Sequence, residues 1–281
     1  GMSVARMMQM AAAGSAGAGP EPSGWTDPDL GNASYDSVSF SVASQETVPL
    51  GLYFIPDGSK MYVIGNSSDN VNEYDLSTPW DVSTASFVQS FSVASQDSSP
   101  TSIFFKPDGL KMYVNGNANH SVFEYDLSTA WDISSASYLQ SFSGISEDTS
   151  ILATTFSQDG SKMYMSGNTY NNINEYDLST PWNVSTASFV QGFNIAAQEG
   201  TPRGTYFNPD GTKFFLIGNG SDNVNEYGIS TPFDLSTASF IQSFSVASQE
   251  TGPVGLFFKA DGSKMYIVGF SNDTVYQYST A

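Results

Sequence analysis

The dipeptide Asp-Gly recurs along the chain at a constant interval of 51 residues. It occurs five times, at Asp57-Gly58, Asp108-Gly109, Asp159-Gly160, Asp210-Gly211 and Asp261-Gly262. The surrounding sequence repeats as well, since residues 54–63 return as residues 105–114 with two differences. A fixed period of this length is typical of a repeat architecture. Each unit is therefore expected to form the same supersecondary block.

Within a unit, four short segments rich in Phe, Tyr, Val and Ile alternate with Gly, Asn, Asp, Ser and Pro. This pattern predicts strands joined by tight turns. In the second unit the strands are predicted near residues 101–106, 111–116, 121–127 and 137–143. The Asp-Gly pair between the first two strands supplies the positive φ that a short hairpin turn requires.

A four-stranded antiparallel sheet repeated every 40 to 50 residues or so is typical of the blade of a β-propeller. The fifth unit ends after its third strand, and residues 35–42 resemble the missing fourth strand. The sequence therefore predicts an all-β, five-bladed β-propeller with four-stranded antiparallel blades. We expect the N-terminal strand, at about residues 35–42, to complete the last blade and close the ring. The propeller is predicted as a single domain over residues 31–281.

An N-terminal extension over residues 1–30 lies outside the repeats. Gly1 resembles a residue left after tag removal, and residues 2–13 favour a short helix. As a signal peptide, residues 2–19 have a one-charge start and an Ala/Gly-rich middle, but Gln9 interrupts them and strongly apolar residues are few. No segment is apolar enough to predict insertion into a membrane.

The repeat also has a recognisable pattern. The run Pro-Asp-Gly-Ser-Lys-Met-Tyr-Val at residues 56–63, followed by Gly65-Asn66 and the segment 74–78, resembles the YVTN-type propeller repeat over about residues 35–279. The segment Ser-Thr-Pro-Trp-Asp-Val-Ser-Thr-Ala at residues 77–85 is similar to that of repeat proteins from marine phage and bacteria. The resemblance implies the architecture but no single function, because propellers include lectins, hydrolases and scaffolds.

Composition excludes several classes of partner and site. The chain has no cysteine, which excludes disulfides and thiolate metal sites. Its formal net charge of −19 argues against binding to nucleic acid, which an acidic surface repels. Charged residues make up only 13% of the chain, and Ser, Thr, Asn and Gly take their place. Such a surface is familiar in secreted and particle-borne proteins and predicts an extracellular or virion-associated location.

Two groups of oxygen-bearing side chains are predicted at one mouth of the central channel. The first is a ring of carboxylates just before each innermost strand, which makes it a candidate metal site: Glu46, Asp97, Asp148, Glu199 and Glu250. The second lies in the loops between the second and third strands and comprises Asn66, Asn117, Asn168, Asn219, Asp69 and Asp222. Such oxygens suit Ca²⁺ or the hydroxyls of a sugar, but Asn and Asp are also the residues that turns prefer.

Few residues break the symmetry of the repeats. Arg203 is expected to reach into the channel mouth and pair with the carboxylate ring. His120 is the single histidine, so a Ser-His-Asp triad could be built only on it; it more closely resembles a variant of the position of Asp69 and Asp222. Lactonases of the YVTN-like kind place His, Arg and acids around the mouth, which this sequence does not match. The third unit departs most from the common repeat, at residues 151–155. If one blade is specialised, we expect it to be this one.

No catalytic residue is assigned from these patterns, and the symmetry favours a non-enzymatic function. The sequence predicts a binding or structural module for multivalent recognition of a glycan or a protein at a cell or virion surface, since linked equivalent sites raise avidity. Two alternatives stay open. One is a hydrolase with a single site at the channel mouth, which requires catalytic groups gathered in one blade, and the other is an inert scaffold. The oligomeric state is left open.

Overall fold

The computed structural model describes residues 24–281, so the helix and signal-peptide interpretations of residues 2–19 lie outside the described residues. The described residues form twenty strands in five four-stranded sheets whose neighbouring strands pair antiparallel. The all-β, five-bladed propeller is therefore confirmed. In the second blade the strands lie within one residue of their predicted bounds.

The blades repeat the same four strands, numbered here in chain order. Blade one contains β2 (Pro49–Phe54), β3 (Lys60–Gly65), β4 (Asn70–Leu76) and β5 (Ala85–Ser92). Blade two contains β6 (Pro100–Phe105), β7 (Lys111–Gly116), β8 (Ser121–Leu127) and β9 (Ala136–Ser143). Blade three contains β10 (Ile151–Phe156), β11 (Lys162–Gly167), β12 (Asn172–Leu178) and β13 (Ala187–Asn194). Blade four contains β14 (Pro202–Phe207), β15 (Lys213–Gly218), β16 (Asn223–Ile229) and β17 (Ala238–Ser245).

Blade five combines the two ends of the described chain. It consists of β18 (Pro253–Phe258), β19 (Lys264–Gly269), β20 (Thr274–Ser279) and β1 (Ser34–Ser41). Strand β1 pairs antiparallel with β20, with Tyr35 opposite Tyr278 and Phe40 opposite Val275. Closure of the ring by the N-terminal strand is thus confirmed.

Residues that precede β1 also lie against the ring. Trp25 packs against Tyr206 and Phe258, with ring centroids 6.2 and 6.3 Å apart. The backbone N–H of Thr26 donates to the carbonyl of Asp261 at 3.0 Å. The domain boundary near residue 30 stays a prediction, but these contacts tie residues 25–26 to blades four and five.

Aromatic residues after the third strand of a blade link that blade to its predecessor. The hydroxyl of Tyr62 in blade one donates to the carbonyl of Trp131 in blade two at 2.5 Å, and the Trp131 ring packs on Phe105 with centroids 5.5 Å apart. Equivalent bonds are those from Tyr113 to Trp182, Tyr164 to Phe233 and Tyr266 to Trp80. The last of these joins blade five to blade one, so these aromatics stabilise the ring by packing between blades.

A partly buried carboxylate fastens the closing strand. Asp36 lies in a bulge of β1 and accepts hydrogen bonds from Lys264 Nζ at 2.6 Å, Ser279 Oγ at 2.6 Å and Gln277 Nε2 at 3.1 Å. Burial by itself would raise the pKa of Asp36, but these bonds outweigh it and hold the pKa below its usual value. The charged form is therefore the one that stabilises the closed ring.

Asp36→Asn is expected to reduce the dependence of stability on acid pH. Because the folded-state pKa of Asp36 lies below the unfolded value, its contribution is present above the unfolded pKa and lost as pH falls through the folded one. The melting temperature of Asp36→Asn should lie below that of the parent near pH 7 and converge with it in strong acid. Circular dichroism melts over this range measure the difference. Lys264→Met removes the same ion pair and should behave in the same way. If the melting temperatures of parent and variant differed equally at every pH, the role given to Asp36 would be contradicted.

Candidate functional site

The two faces of the ring differ in the loops they carry. On one face the innermost strands begin and the loops between second and third strands return; we call it the entry face. On the opposite face, the turn face, lie the Asp-Gly turns and the connections from third to fourth strands. All candidate residues from the sequence fall on the entry face. Between the faces the inner strands enclose a cavity of only 40 Å³.

The five carboxylates predicted as a ring are buried and engaged in their own loops. Glu46 Oε1 accepts from the backbone N–H groups of Val48 at 2.8 Å and Ser67 at 3.1 Å, and its Oε2 accepts from Ser68 N–H at 3.1 Å. Each of the others likewise accepts from loop N–H groups: Asp97, Asp148, Glu199 and Glu250. All five are at most 2% exposed.

These carboxylates therefore shape the loops rather than line the channel mouth. The fit is close, because a Cβ on Gly116 would lie 2.2 Å from Asp97 Cγ, and glycine is the residue that tolerates such an approach. Within residues 24–281 no group of three or more His, Asp or Glu side chains is arranged to hold a metal ion. The ring stays a prediction as a metal site, and in the structure the oxygens of Glu46 and its equivalents accept loop N–H groups.

Most of the asparagines predicted as ligands stabilise the same loops through their backbone N–H groups. The N–H groups of Asn66, Asn117 and Asn168 donate to the carbonyls of Val48, Ser99 and Ser150, at 3.3, 2.9 and 3.0 Å. Asn219 differs, because its Oδ1 accepts from Arg203 Nε at 3.2 Å. Asn219 is thus the one member of the predicted set whose side chain contacts a cation.

Asp69 and Asp222 occupy the same turn position in blades one and four. Both have a left-handed backbone, with φ of 55° and 56°, and His120 occupies the equivalent place in blade two with φ of 52°. Burial raises the pKa of Asp222, and the charges of Glu199 and Glu250 raise it further. Burial raises the pKa of Asp69 in the same way, with Glu46 and Asp97 adding to it. The position therefore supplies carboxylates that hold a proton more strongly than usual.

Arg203 breaks the symmetry of the entry face. It lies in β14 of blade four, where the other blades place Leu50, Thr101, Leu152 and Val254. Burial lowers the pKa of its guanidinium, and the nearby charge of Glu199 opposes that shift. Its expected pairing with the carboxylate ring is wrong: both oxygens of Glu199 are taken by loop N–H groups, so the side chain bonds Asn219 instead.

Blade four thus brings together groups that the repeats elsewhere keep apart. Arg203 and Asn219 are hydrogen-bonded, and the charge of Glu199 acts on both Arg203 and Asp222. The bond to Asn219 uses Nε, and within residues 24–281 neither Nη group of Arg203 makes a hydrogen bond. The sequence named Arg203, Asn219 and Asp222 separately but did not predict that they form one cluster. The signal was that Arg203 is the single charged residue in its column.

Solved structures of low identity match the chain. A periplasmic gluconolactonase of Pseudomonas aeruginosa is 15% identical, with 82% of this chain and 66% of that one covered, at a TM-score of 0.48. A Bacteroides uniformis protein provisionally described as a 6-phosphogluconolactonase is 17% identical. That match covers 82% of this chain and 71% of the other, with a TM-score of 0.49. A protein from Lactobacillus plantarum is 19% identical, with 70% of this chain covered and a TM-score of 0.48. The match covers 55% of the Lactobacillus protein, so this chain spans little more than half of that protein's length.

Two further searches give a negative result. A search of curated proteins finds no relative of this sequence. In the part of the chain that the structure describes, no helix has the length and apolar character needed to cross a membrane.

A family model identifies the chain by sequence. Residues 51–233, more than half of the 281 residues, match the model described as "Lactonase, 7-bladed beta-propeller". This match overturns the prediction of a non-enzymatic binding or structural module, because the family is named for an enzyme activity, and it favours the hydrolase alternative. The family description gives seven blades, whereas five units of 51 residues close the ring here. The chain belongs to the seven-bladed β-propeller lactonase family, of which it is a five-bladed member.

Proposed function

We propose that the chain is a hydrolase that opens lactones at the entry-face mouth of its channel, in blade four. The observation that carries the proposal is Arg203, a half-buried cation in one blade, held by Asn219 and placed where the other blades have neutral side chains. Lactone hydrolysis develops negative charge on the carbonyl oxygen. A fixed cation in a partly desolvated site stabilises that charge strongly.

The neighbouring side chains fit complementary roles. Arg203 would donate from its Nη groups to the carbonyl oxygen, and Asn219 would hold the guanidinium in place. Asp222 would accept a proton from the attacking water, a role for which a raised pKa is suited. The water oxygen bonds the carbonyl carbon, the ring C–O bond breaks, and the departing alkoxide takes up a proton. Activity is then expected to fall as acid protonates Asp222.

The charge of the protein favours a neutral substrate. A net charge of −19 repels anions from the surface as a whole, and one arginine offsets little of it. We therefore propose neutral sugar lactones or simple aliphatic lactones as the substrate class rather than phosphorylated ones. The ratio of kcat/KM for gluconolactone to that for its phosphorylated form tests this choice.

Arg203→Leu is expected to lower kcat/KM for gluconolactone about a hundredfold, because an oxyanion donor is lost. Leucine occupies the equivalent position in blades one and three, so the variant should fold with little change in melting temperature. Thr101→Leu places the same residue at the equivalent position of blade two. It is the matched control and should keep full activity. Full activity of Arg203→Leu, or no lactone hydrolysis by the parent protein, would contradict the proposal.

Three predictions from the sequence stay predictions. They are the resemblance to the YVTN-type repeat, the likeness to marine phage and bacterial proteins, and a location outside the cell or on a virion. The hydroxyl-rich surface of low charge supports export, and detection of the native protein in a cell-free culture fraction would test it.

A further inference from the structure

The turn-face mouth of the channel is lined by an arc of aromatic rings, which we call the aromatic collar. Its members are Tyr53, Phe104, Tyr206 and Phe257, one from each of four blades. Successive rings touch: the centroids of Tyr206 and Phe257 are 5.2 Å apart, those of Phe257 and Tyr53 are 4.9 Å apart, and those of Tyr53 and Phe104 are 5.4 Å apart. Such spacing is favourable for edge-to-face aromatic contact.

The collar is interrupted in blade three. There the equivalent residue is Thr155, which stands between Phe104 and Tyr206, the two ends of the arc. A cavity of 80 Å³ lies at the mouth of the collar and is lined by all four of its rings together with Thr155, Gln158, Trp182 and Asn208. In a symmetric ring the fifth aromatic side chain would stand at position 155, which lines this cavity.

The same blade supplies polar groups at this cavity. Gln158 replaces the proline found at residues 56, 107 and 209, so the Asp-Gly turn of blade three presents a side-chain amide to the mouth. Asn208 also lines the cavity, but its amide is engaged with Asp27 and Thr212 and its Oδ1 accepts from Lys213 N–H. Among the described residues the side chains of Gln158 and Thr155 have no hydrogen-bond partner, so both are placed to bond a ligand.

We propose that the interruption in the aromatic collar is a binding site for a single phenol-type ring. Four blades place a phenyl or phenol ring at this position, and the walls of the cavity beside Thr155 favour aromatic contact. The hydroxyl of such a ligand would bond the amide of Gln158 or the hydroxyl of Thr155. The cavity is smaller than the roughly 150 Å³ that encloses benzene, so the ring enters in part and its remainder stays at the mouth.

This site is separate from the one proposed for lactone hydrolysis. Arg203 lies near the start of β14, whereas Tyr206 and the collar lie near its end, on the opposite face. Between the faces the inner strands approach closely, since a Cβ on Gly51 would lie 2.9 Å from Ser102 Cα. A phenol at the collar therefore does not reach the guanidinium, and its binding can be tested without any activity assay.

Titration of the protein with 4-fluorophenol, followed by ¹⁹F NMR, tests the proposal. We expect saturable binding at one site per chain and at least tenfold weaker binding to Thr155→Phe, which completes the collar. Arg203→Leu is the control and should bind as the parent does, because it alters only the entry face. No saturable binding by the parent, equal binding to Thr155→Phe, or loss of binding in Arg203→Leu would each overturn the proposal.

A second variant keeps the test decisive where Thr155→Phe does not fold. Gln158→Pro installs the residue that blades one, two and four already have, so the turn should tolerate it. It is expected to weaken binding of 4-fluorophenol severalfold and to leave binding of fluorobenzene, which lacks the hydroxyl, unchanged. Equal effects of Gln158→Pro on the two probes would overturn the role of Gln158 and with it the preference for phenols.

Discussion

A chain that begins at Ala43, and so lacks β1, is expected to lose the cooperative unfolding of the closed ring. Six positions of β1 pair with β20, and Asp36 accepts a hydrogen bond from Lys264. Phe40 packs in the hydrophobic core between blades five and one. Without β1, the strand β20 becomes an unpaired edge, which is a template for association between chains. The truncated chain should melt without a sharp transition and form oligomers.

Circular dichroism melts and size-exclusion chromatography measure this outcome. A chain that begins at Gly24 keeps every contact described here and is the matched control. Addition of a synthetic peptide of residues 24–42 should restore the transition, because it supplies the same strand without a covalent link. A truncated monomer that melts as sharply as the control would show that ring closure contributes little.

Gly109→Ala is expected to lower the free energy of unfolding by about 3–5 kcal/mol, from backbone strain and loss of core packing together. Gly109 has φ of 75°, which costs an L side chain about 1–2 kcal/mol. An added Cβ would also lie 2.5 Å from atoms of the Trp131 indole. Trp131 would have to move away from Phe105, and its carbonyl from Tyr62, so two links between blades would weaken together.

Urea denaturation of matched variants separates the two causes. Gly24→Ala is the control, because Gly24 has φ of 83° but a Cβ there would have no neighbour within 4 Å among the described residues. It should cost only the backbone part, at most about 2 kcal/mol. The double variant Gly109→Ala with Trp131→Ala should be more stable than the sum of the single effects predicts, since the clash is then removed. Strict additivity would contradict the role given to Trp131.

Much of the fold could be predicted because it follows from the period and the turn chemistry. A repeat of 51 residues with four apolar segments and an Asp-Gly turn indicates a blade. Residues 35–42 could be placed beside the last unit because they resemble the fourth strand of the others. The observed β1 lies one residue earlier at each end, and its bulge around Asp36 was not predicted, because that bulge depends on Lys264 and Gln277.

The site could be predicted only as columns of residues. The sequence places Glu46 and its equivalents on one face, but whether the oxygens point to a channel or to loop N–H groups depends on how residues 66–69 fold back. The contact of Arg203 with Asn219 likewise depends on the equivalent loop of blade four, between β15 and β16. The symmetry of the repeats suggested a multivalent binder, and the match of residues 51–233 to the lactonase family shows that this was wrong. Repeated residues report mainly on the blade that they build, so they carry little information about a single site.

Closure of blade five by β1 also affects how the protein is made. A ribosome synthesises β1 long before β20, so the pair that closes the ring cannot form until β20 has been made. At about 5–20 residues per second, β1 waits on the order of half a minute for its partner. Chains interrupted before β20 therefore contain an unpaired β1 and an open ring, which leaves the edge of β1 exposed to other chains until synthesis passes β20.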